Sequence, residues 1–317
     1  MNLEARLRAF SAFIRRRSFV GAAEALRISQ SAVSQHIADM ERDLGVRLID
    51  RRSRALTTAG ELLAGHVLRA EALLAQAANC VAALREPEAG SLSIAASGTP
   101  GTYVLPPIIA EFQQLHPGVR INFGIATAMG AVDAVRSHRA ELGIVGAFIA
   151  APEIDAEPLI EDEIVIVGPP RLAGKWLSRD QIEELTWIHR EQGSGTSVLA
   201  ESIIGDIGII PRRRLALPSW EAIKLAVRGG WGIAPFSRLA VAEELATGSL
   251  VVLPVLLSEA RRTFWTIRVR DATLTPIAQR FLSALRERCA FVAQTDPRKQ
   301  KRAQKRRRDR QGSFRSR

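Results

Sequence analysis

Apolar residues recur at helical spacing through the first sixty positions. Leu3, Leu7, Phe10 and Ile14 stand four, three and four apart and predict a helix over residues 3–16, closed by Arg15, Arg16 and Arg17. Ala22, Ala23 and Ala25 with Leu26 form a second, shorter helix whose small side chains let a neighbouring helix approach closely. Val20 stands near its start, without a hydroxyl to cap it. Ser29 is placed to cap a third helix, since its hydroxyl can accept from an orphan amide of the first turn. Along that helix Val33, Ile37, Met40 and Leu44 make one apolar stripe, and Gln30, Ser31, Ser34 and Gln35 occupy the other side. The polar face offers hydrogen-bonding groups without a carboxylate. Two helices joined by a tight turn, the second with such a face, make a helix-turn-helix whose second helix enters a DNA major groove. An ordinary helical pair with a solvated exterior has the same spacing. Gly45 then ends the helix and a basic hairpin runs through Arg47, Arg51, Arg52 and Arg54.

No proline interrupts residues 58–85, where Leu62, Leu63, Val67, Leu73, Leu74, Ala77, Val81 and Leu84 gather near one side of a long helix. Pairing with a second copy would bury that stripe, each buried Leu contributing roughly 1.5–3 kcal/mol. Glu86, Pro87, Glu88, Ala89 and Gly90 break the helix and serve as a hinge. Beyond Ser91 strand-like runs at 92–97, 119–126, 142–147 and 163–168 alternate with helical runs at 104–115 and 129–138. A second set follows at 187–190, 219–228, 232–235 and 250–253, then a strand at 264–269 and a closing helix at 275–292. This alternation predicts an α/β sheet of strong parallel character.

Composition narrows the function. The apolar content of 47% supports globular cores, and 317 residues suit two or three domains. No apolar run is long enough for a membrane span and the N-terminus is not a signal peptide, so the expected location is cytoplasmic. Cys80 and Cys289 lie far apart without ligand-spaced company, and the five histidines show no paired spacing, so no metal, cofactor or nucleophilic site is expected. No serine lies in a nucleophile elbow, which argues against an enzyme. The net charge of +11 is concentrated at the ends. Residues 297–317 hold eleven Lys and Arg against one acid, residues 1–60 hold eleven Arg against six, and the body between is mildly acidic. The tail from Asp296 lacks the apolar residues for a core and is read as disordered, either a phosphate-binding arm or a solubilising extension.

Ala22-Ala23, the run Ser29 to Ser34, Glu41 through Gly45, and Leu56-Thr57 with Ala59-Gly60 resemble the winged helix-turn-helix of the LysR-type transcriptional regulators. The resemblance implies a winged helix-turn-helix over residues 1–60, a linker and dimerisation helix with hinge over 61–90, and an effector domain over 91–295. That domain would be two-lobed, folded like a periplasmic solute-binding protein, with lobe 1 at 91–165 and 268–295 and lobe 2 at 166–267. The basic tail, 296–317, has no general counterpart in the family. Arg190, Glu191 and the Gly193-Ser194-Gly195-Thr196 run, with Glu221, Lys224, Gly230 and Gly232, look closest to the branch controlling carbon fixation and sulfur assimilation.

Gln30, Ser31, Ser34 and Gln35 are then the expected base readers, with Gln35 suited to adenine, and Arg51, Arg52 and Arg54 the expected wing contacts. Ser97 and Thr99 close the first strand before a helix, and Ser194 and Thr196 stand likewise in the second half, each a possible anion site at a helix N-terminus. Each loop alone reads equally as a glycine-rich turn with a capping hydroxyl. Thr127 is a third expected effector contact, and Trp231 could narrow the pocket. The implied partners are double-stranded DNA carrying an interrupted palindrome, a small and anionic effector, and a second copy of the chain, with a dimer of dimers common in the family. A DNA-architectural protein without effector response, and a solute-binding module, are the competing readings.

Overall fold

A computed structural model describes residues 3–50, 52–85, 89–190, 201–202, 204–205, 208–254 and 261–295. The chain divides into two compact units, the first ending at Val81 and the second beginning at Ala82.

The first unit is built from α1 (Leu3–Arg16), α2 (Phe19–Leu26), α3 (Gln30–Leu44) and the start of α4 (Thr58–Arg85). Its core joins Phe10 and Phe13 of α1 to Ala22 and Ala23, to Val33, Ile37 and Met40, and to Leu48, Ala64 and Val67. The stripes expected from spacing are trimmed at their ends: Leu3 and Leu44 are exposed, because each lies in a terminal turn beyond the packed helices. The α2 cap is not at position 20. Ser18 performs it, accepting from the Gly21 amide at 3.3 Å, while Val20 points to solvent. Arg27, in the left-handed region at φ 56°, ends α2, and Ser29 caps α3 by accepting from the Ala32 amide at 3.1 Å. Gly45, at φ 69°, lets the chain leave α3 without strain.

A wing follows. The Glu41 carboxylate reaches back from α3 to accept from the Leu48 and Ile49 amides at 2.8 and 3.1 Å. One antiparallel bridge, Ile49 to Leu56, closes the hairpin. Gly60 packs so tightly beneath it that a Cβ there would sit 2.0 Å from the Leu48 carbonyl oxygen. The apolar stripe expected along α4 divides: Ala64 and Val67 are spent on the first unit's own core, whereas Leu62, Leu73, Leu74 and Val81 are exposed.

The second unit contains β1 (Gly90–Ser97), a turn at Pro100–Val104, α5 (Leu105–Leu115), β2 (Val119–Ala126), α6 (Ala128–Arg136), β3 (Leu142–Val145) and β4 (Ile154–Gly168). It continues with α7 (Arg179–Glu184), β5 (Thr186–Arg190), β6 (Arg213–Leu217), α8 (Trp220–Arg228), β7 (Ala234–Ser237) and α9 (Ala242–Thr247). β8 (Val251–Val252), β9 (Arg261–Val269) and α10 (Pro276–Thr295) complete it. The main sheet runs β2-β1-β3-β9-β4-β7, with β8 also on β4, and β5 pairs with β6 apart from it.

Among the described residues, the parallel strand pairs are β1 with β2, β1 with β3, and β5 with β6, beside one isolated parallel bridge from Trp187 to Ile233. β9 is antiparallel to both β3 and β4, and β4 is antiparallel to β7 and β8, so the expected parallel character gives way to a mixed sheet. The reason is β4, a 15-residue strand that runs from one core into another. Ile160 packs with Leu92, Ile144, Phe264 and Phe281, while Val165 packs with Ile188, Ile223, Val227 and Phe236. Phe264 and Ile267 belong to the first half's cores, so the chain crosses between halves near 161–163 and 261–263. The expected second-lobe limit at residue 267 therefore lies too late. Among the described residues, no helix is long and apolar enough to cross a membrane.

Candidate functional site

The helix-turn-helix presents an uninterrupted polar surface. Gln30, Ser31, Ser34 and Gln35 are all exposed on α3, opposite Val33, Ile37 and Met40. The Ser29 and Ser31 hydroxyls lie 2.9 Å apart, so the capping residue also orients Ser31 on that face. The expectation of a face without carboxylates needs correction: the Gln35 amide donates to Asp39 at 2.7 Å. Arg42 donates to the same Asp39 oxygen at 2.9 Å, and Arg6 of α1 pairs with Asp43.

At the wing tip Asp50 organises the turn. Its carboxylate accepts from the Ser53 amide at 2.7 Å, the Ser53 hydroxyl at 2.9 Å and the Arg52 amide at 3.0 Å. These bonds, the Ser53 amide first, hold its carboxyl below the usual carboxylate range. Arg54 adopts the left-handed region at φ 56°, and Arg52 and Arg54 both project into solvent. Arg51 lies outside the described residues.

In the second unit the expected effector residues separate. Ser97 and Thr99 are buried at the end of β1, where the chain enters a helical turn directly at Gly98 without an intervening loop. The turn at Pro100–Val104 is π-helical, with the Leu105 amide bonded to the Pro100 carbonyl. Such turns concentrate at functional positions. The Ser97 hydroxyl accepts from the Gly146 amide at 2.9 Å, tying the ends of β1 and β3 together. Thr127 is exposed, and its hydroxyl caps α6 by accepting from the Gly130 amide at 3.0 Å. Ser194 and Thr196 fall outside the described residues. Trp231 is 73% exposed.

Two groups that periodicity did not mark converge on Thr99 and its turn. Arg262 of β9 donates to the Thr99 hydroxyl at 3.2 Å and to the Asp162 carboxylate at 2.8 Å. Asp162 is fully buried on β4, and its other oxygen accepts from the Ser237 hydroxyl of β7 at 2.7 Å. A continuous polar chain thus passes from the β1 terminus through the crossing strands to β7. A buried pair of this kind costs desolvation and gains its worth from geometry. Here it places an arginine fork, the group best matched to carboxylate or phosphate, beside Ser97, Thr99 and Gly146.

Nearby, Lys224 of α8 pairs with Glu244 of α9 at 2.8 Å and places its ammonium 5.0 Å from the centre of the Tyr103 ring. Arg190, at the end of β5, lies 5.2 Å over the Trp220 ring. Two cations therefore stand beside the π-helical turn. Residues so far apart in sequence carry no spacing signal; only the long β4–β9 pairing, had it been foreseen, could have joined Asp162 to Arg262. Burial pushes the Cys289 thiol up to about 11, which leaves it protonated and poorly nucleophilic.

Comparison with known proteins identifies the family. A model described as the LysR substrate binding domain matches residues 85–290, and one for bacterial regulatory helix-turn-helix proteins of the lysR family matches residues 5–61. The uncharacterized HTH-type transcriptional regulator YeiE of Escherichia coli (strain K12) is 35% identical over 282 residues, spanning 87% of this chain and 94% of that protein. The HTH-type transcriptional regulator CbbR of Rhodospirillum rubrum is 30% identical over 279 residues, spanning 87% and 93%. The solved CcmR regulatory domain of Synechocystis PCC6803, in complex with 2-PG, is 26% identical with a TM-score of 0.56, covering 62% of this chain and 96% of that one. The chain belongs to the LysR family of bacterial helix-turn-helix transcriptional regulators.

Proposed function

We propose that this protein is a sequence-specific transcriptional regulator whose DNA binding, or the DNA geometry it imposes, responds to a small anionic effector held in the second unit. The carrying observation is the capped helix α3 with Gln30, Ser31, Ser34 and Gln35 on its exposed face, beside a wing that presents Arg52 and Arg54. Base edges in the major groove are read by side chains of this kind, and phosphates by the arginines, with Arg51 assigned to the same wing. Self-association follows from the exposed Leu62, Leu73, Leu74 and Val81 of α4, and two heads on one dimer suit an interrupted palindrome. A dimer of dimers is the further assembly, and the cytoplasm, where DNA is met, the working location. No catalytic role is assigned; the relatives are named as regulators.

The effector reading is supported by the arginine fork of Arg262 at the buried Ser97 and Thr99, and by the small molecule in the CcmR domain. Thr127, Ser194 and Thr196 complete the proposed contacts. An effector that draws the two halves together would alter the presentation of the heads, linking ligand affinity to DNA affinity. The test is a thermal-shift titration of the full chain with inorganic sulfate, inorganic phosphate, sugar phosphates and aromatic carboxylates. Saturable stabilisation by one of them, lost in Arg262→Leu, is the expected result. A flat response to all of them removes the anionic effector and leaves a constitutive DNA-binding protein.

A further inference from the structure

We propose that Asp39 is a specificity-determining residue, whose carboxylate decides which way round the Gln35 amide is presented to DNA. The inference rests on the proposed base-reading role of Gln35. Asp39 stands one turn beyond Gln35 on α3, at the i, i+4 spacing that brings side chains together. Gln35 Nε2 donates to Asp39 Oδ1 at 2.7 Å. That oxygen also accepts from Arg42 Nη1 at 2.9 Å, and Arg6 Nη2 of the first helix lies 3.9 Å from Oδ2. The Asp39 side chain is only 21% exposed, against 70% for Arg42, so the carboxylate is the anchored member of the cluster.

A glutamine amide is nearly symmetrical in shape and opposite in chemistry at its two ends: a half-turn exchanges two donors for an acceptor. A carboxylate only accepts, so Asp39 holds the NH2 end towards itself. Oε1 and the second N–H remain for the groove. Adenine offers an N7 acceptor beside an N6 donor in the major groove, which this presentation matches and the flipped one does not. The anchoring also removes side-chain freedom before DNA arrives, so less is lost on binding. A carboxylate near phosphates carries an electrostatic cost, and Arg42 and Arg6 supply the compensating charge.

The experiment is selection of a randomised double-stranded DNA library by the full chain, followed by sequencing of the bound fraction. Wild type is compared with Gln35→Ala, Asp39→Asn, Asp39→Ala, Asp39→Glu and the Gln35→Ala/Asp39→Asn double variant. Gln35→Ala is expected to erase the preference at one position of each half-site. Asp39→Asn and Asp39→Ala should each cut the preference at that same position about fivefold or more, and leave the other positions unchanged. Two separate replacements keep a folding defect peculiar to one from deciding the outcome. The double variant should match Gln35→Ala, and Asp39→Glu, which keeps a group that can only accept, should retain part of the preference. Wild-type preference in both Asp39 variants, with Gln35→Ala defective, overturns the positioning role alone. A loss spread evenly over all positions also overturns it, because that is the signature of a purely structural residue. No change at any position in Gln35→Ala removes the base-reading assignment, and the role of Asp39 with it.

Discussion

Tyr103 is the sole tyrosine of the chain, which makes its environment measurable in isolation. It stands in the π-helical turn yet packs against the buried cluster that contains Phe236, in the other half of the second unit. Burial, with Glu221 and Glu244 adding to it, raises its phenol from 10.0 to about 12. The folded chain thus holds this proton more tightly than the unfolded one. Its contribution to stability is complete below pH 10 and is lost as pH rises through about 12. A tyrosinate absorbance titration of the native protein should therefore find its midpoint near 12, and Tyr103→Phe should lessen the alkaline loss of stability. A midpoint at 10 in protein that remains folded would mean that the ring is solvated. The residues proposed to read DNA were legible at this scale because Gln30, Ser31, Ser34 and Gln35 share one helix and obey its period. Arg262 and Asp162 were not, since a hundred residues separate a pair that only strand register brings together.

The wing is the element with the least room for change. Thr57 donates to the Arg47 carbonyl and accepts from the Gly60 amide, fastening the base of the hairpin to the first turn of α4. With a Cβ at residue 60 falling 2.0 Å from a backbone oxygen, no flexible side chain is available to yield. Gly60→Ala should destabilise the protein by about 1–3 kcal/mol, as overpacked sites do, and should weaken DNA binding by displacing Arg52 and Arg54. Thermal unfolding together with a DNA mobility shift checks both; an unchanged melting temperature would show that the backbone moves freely at this point. Caps were readable where the residue stood at the expected offset, as Ser29 does. At α2 the hydroxyl of Ser18 replaced the expected position, because the helix begins two residues earlier.

For the whole molecule, charge is partitioned as architecture is. Eleven basic residues crowd into positions 297–317, outside the described residues, beyond a body that is mildly acidic. If the tail acts on phosphates, its deletion should flatten the dependence of DNA affinity on salt, by about 0.9 in logarithmic slope for each phosphate it had neutralised, and spare site choice. Salt titrations of the intact and truncated chains on the same DNA measure this. An unchanged slope would make the tail a solubilising extension, and altered site choice would refute the division between a reading head and a neutralising arm.

Local pattern alone determined the helix-turn-helix, the long proline-free helix and the α/β character of the second unit, because each is a periodic burial of neighbouring residues. It also determined which face of α3 meets solvent. Tertiary structure decided what periodicity cannot express: β4 and β9 pair antiparallel up to the crossing between the halves, and Arg262 thereby meets Thr99. It likewise divided the α4 stripe between the first unit's core and the solvent-facing leucines. Those outcomes depend on contacts between distant segments, whose register is set by packing and leaves no mark in the spacing of any one of them.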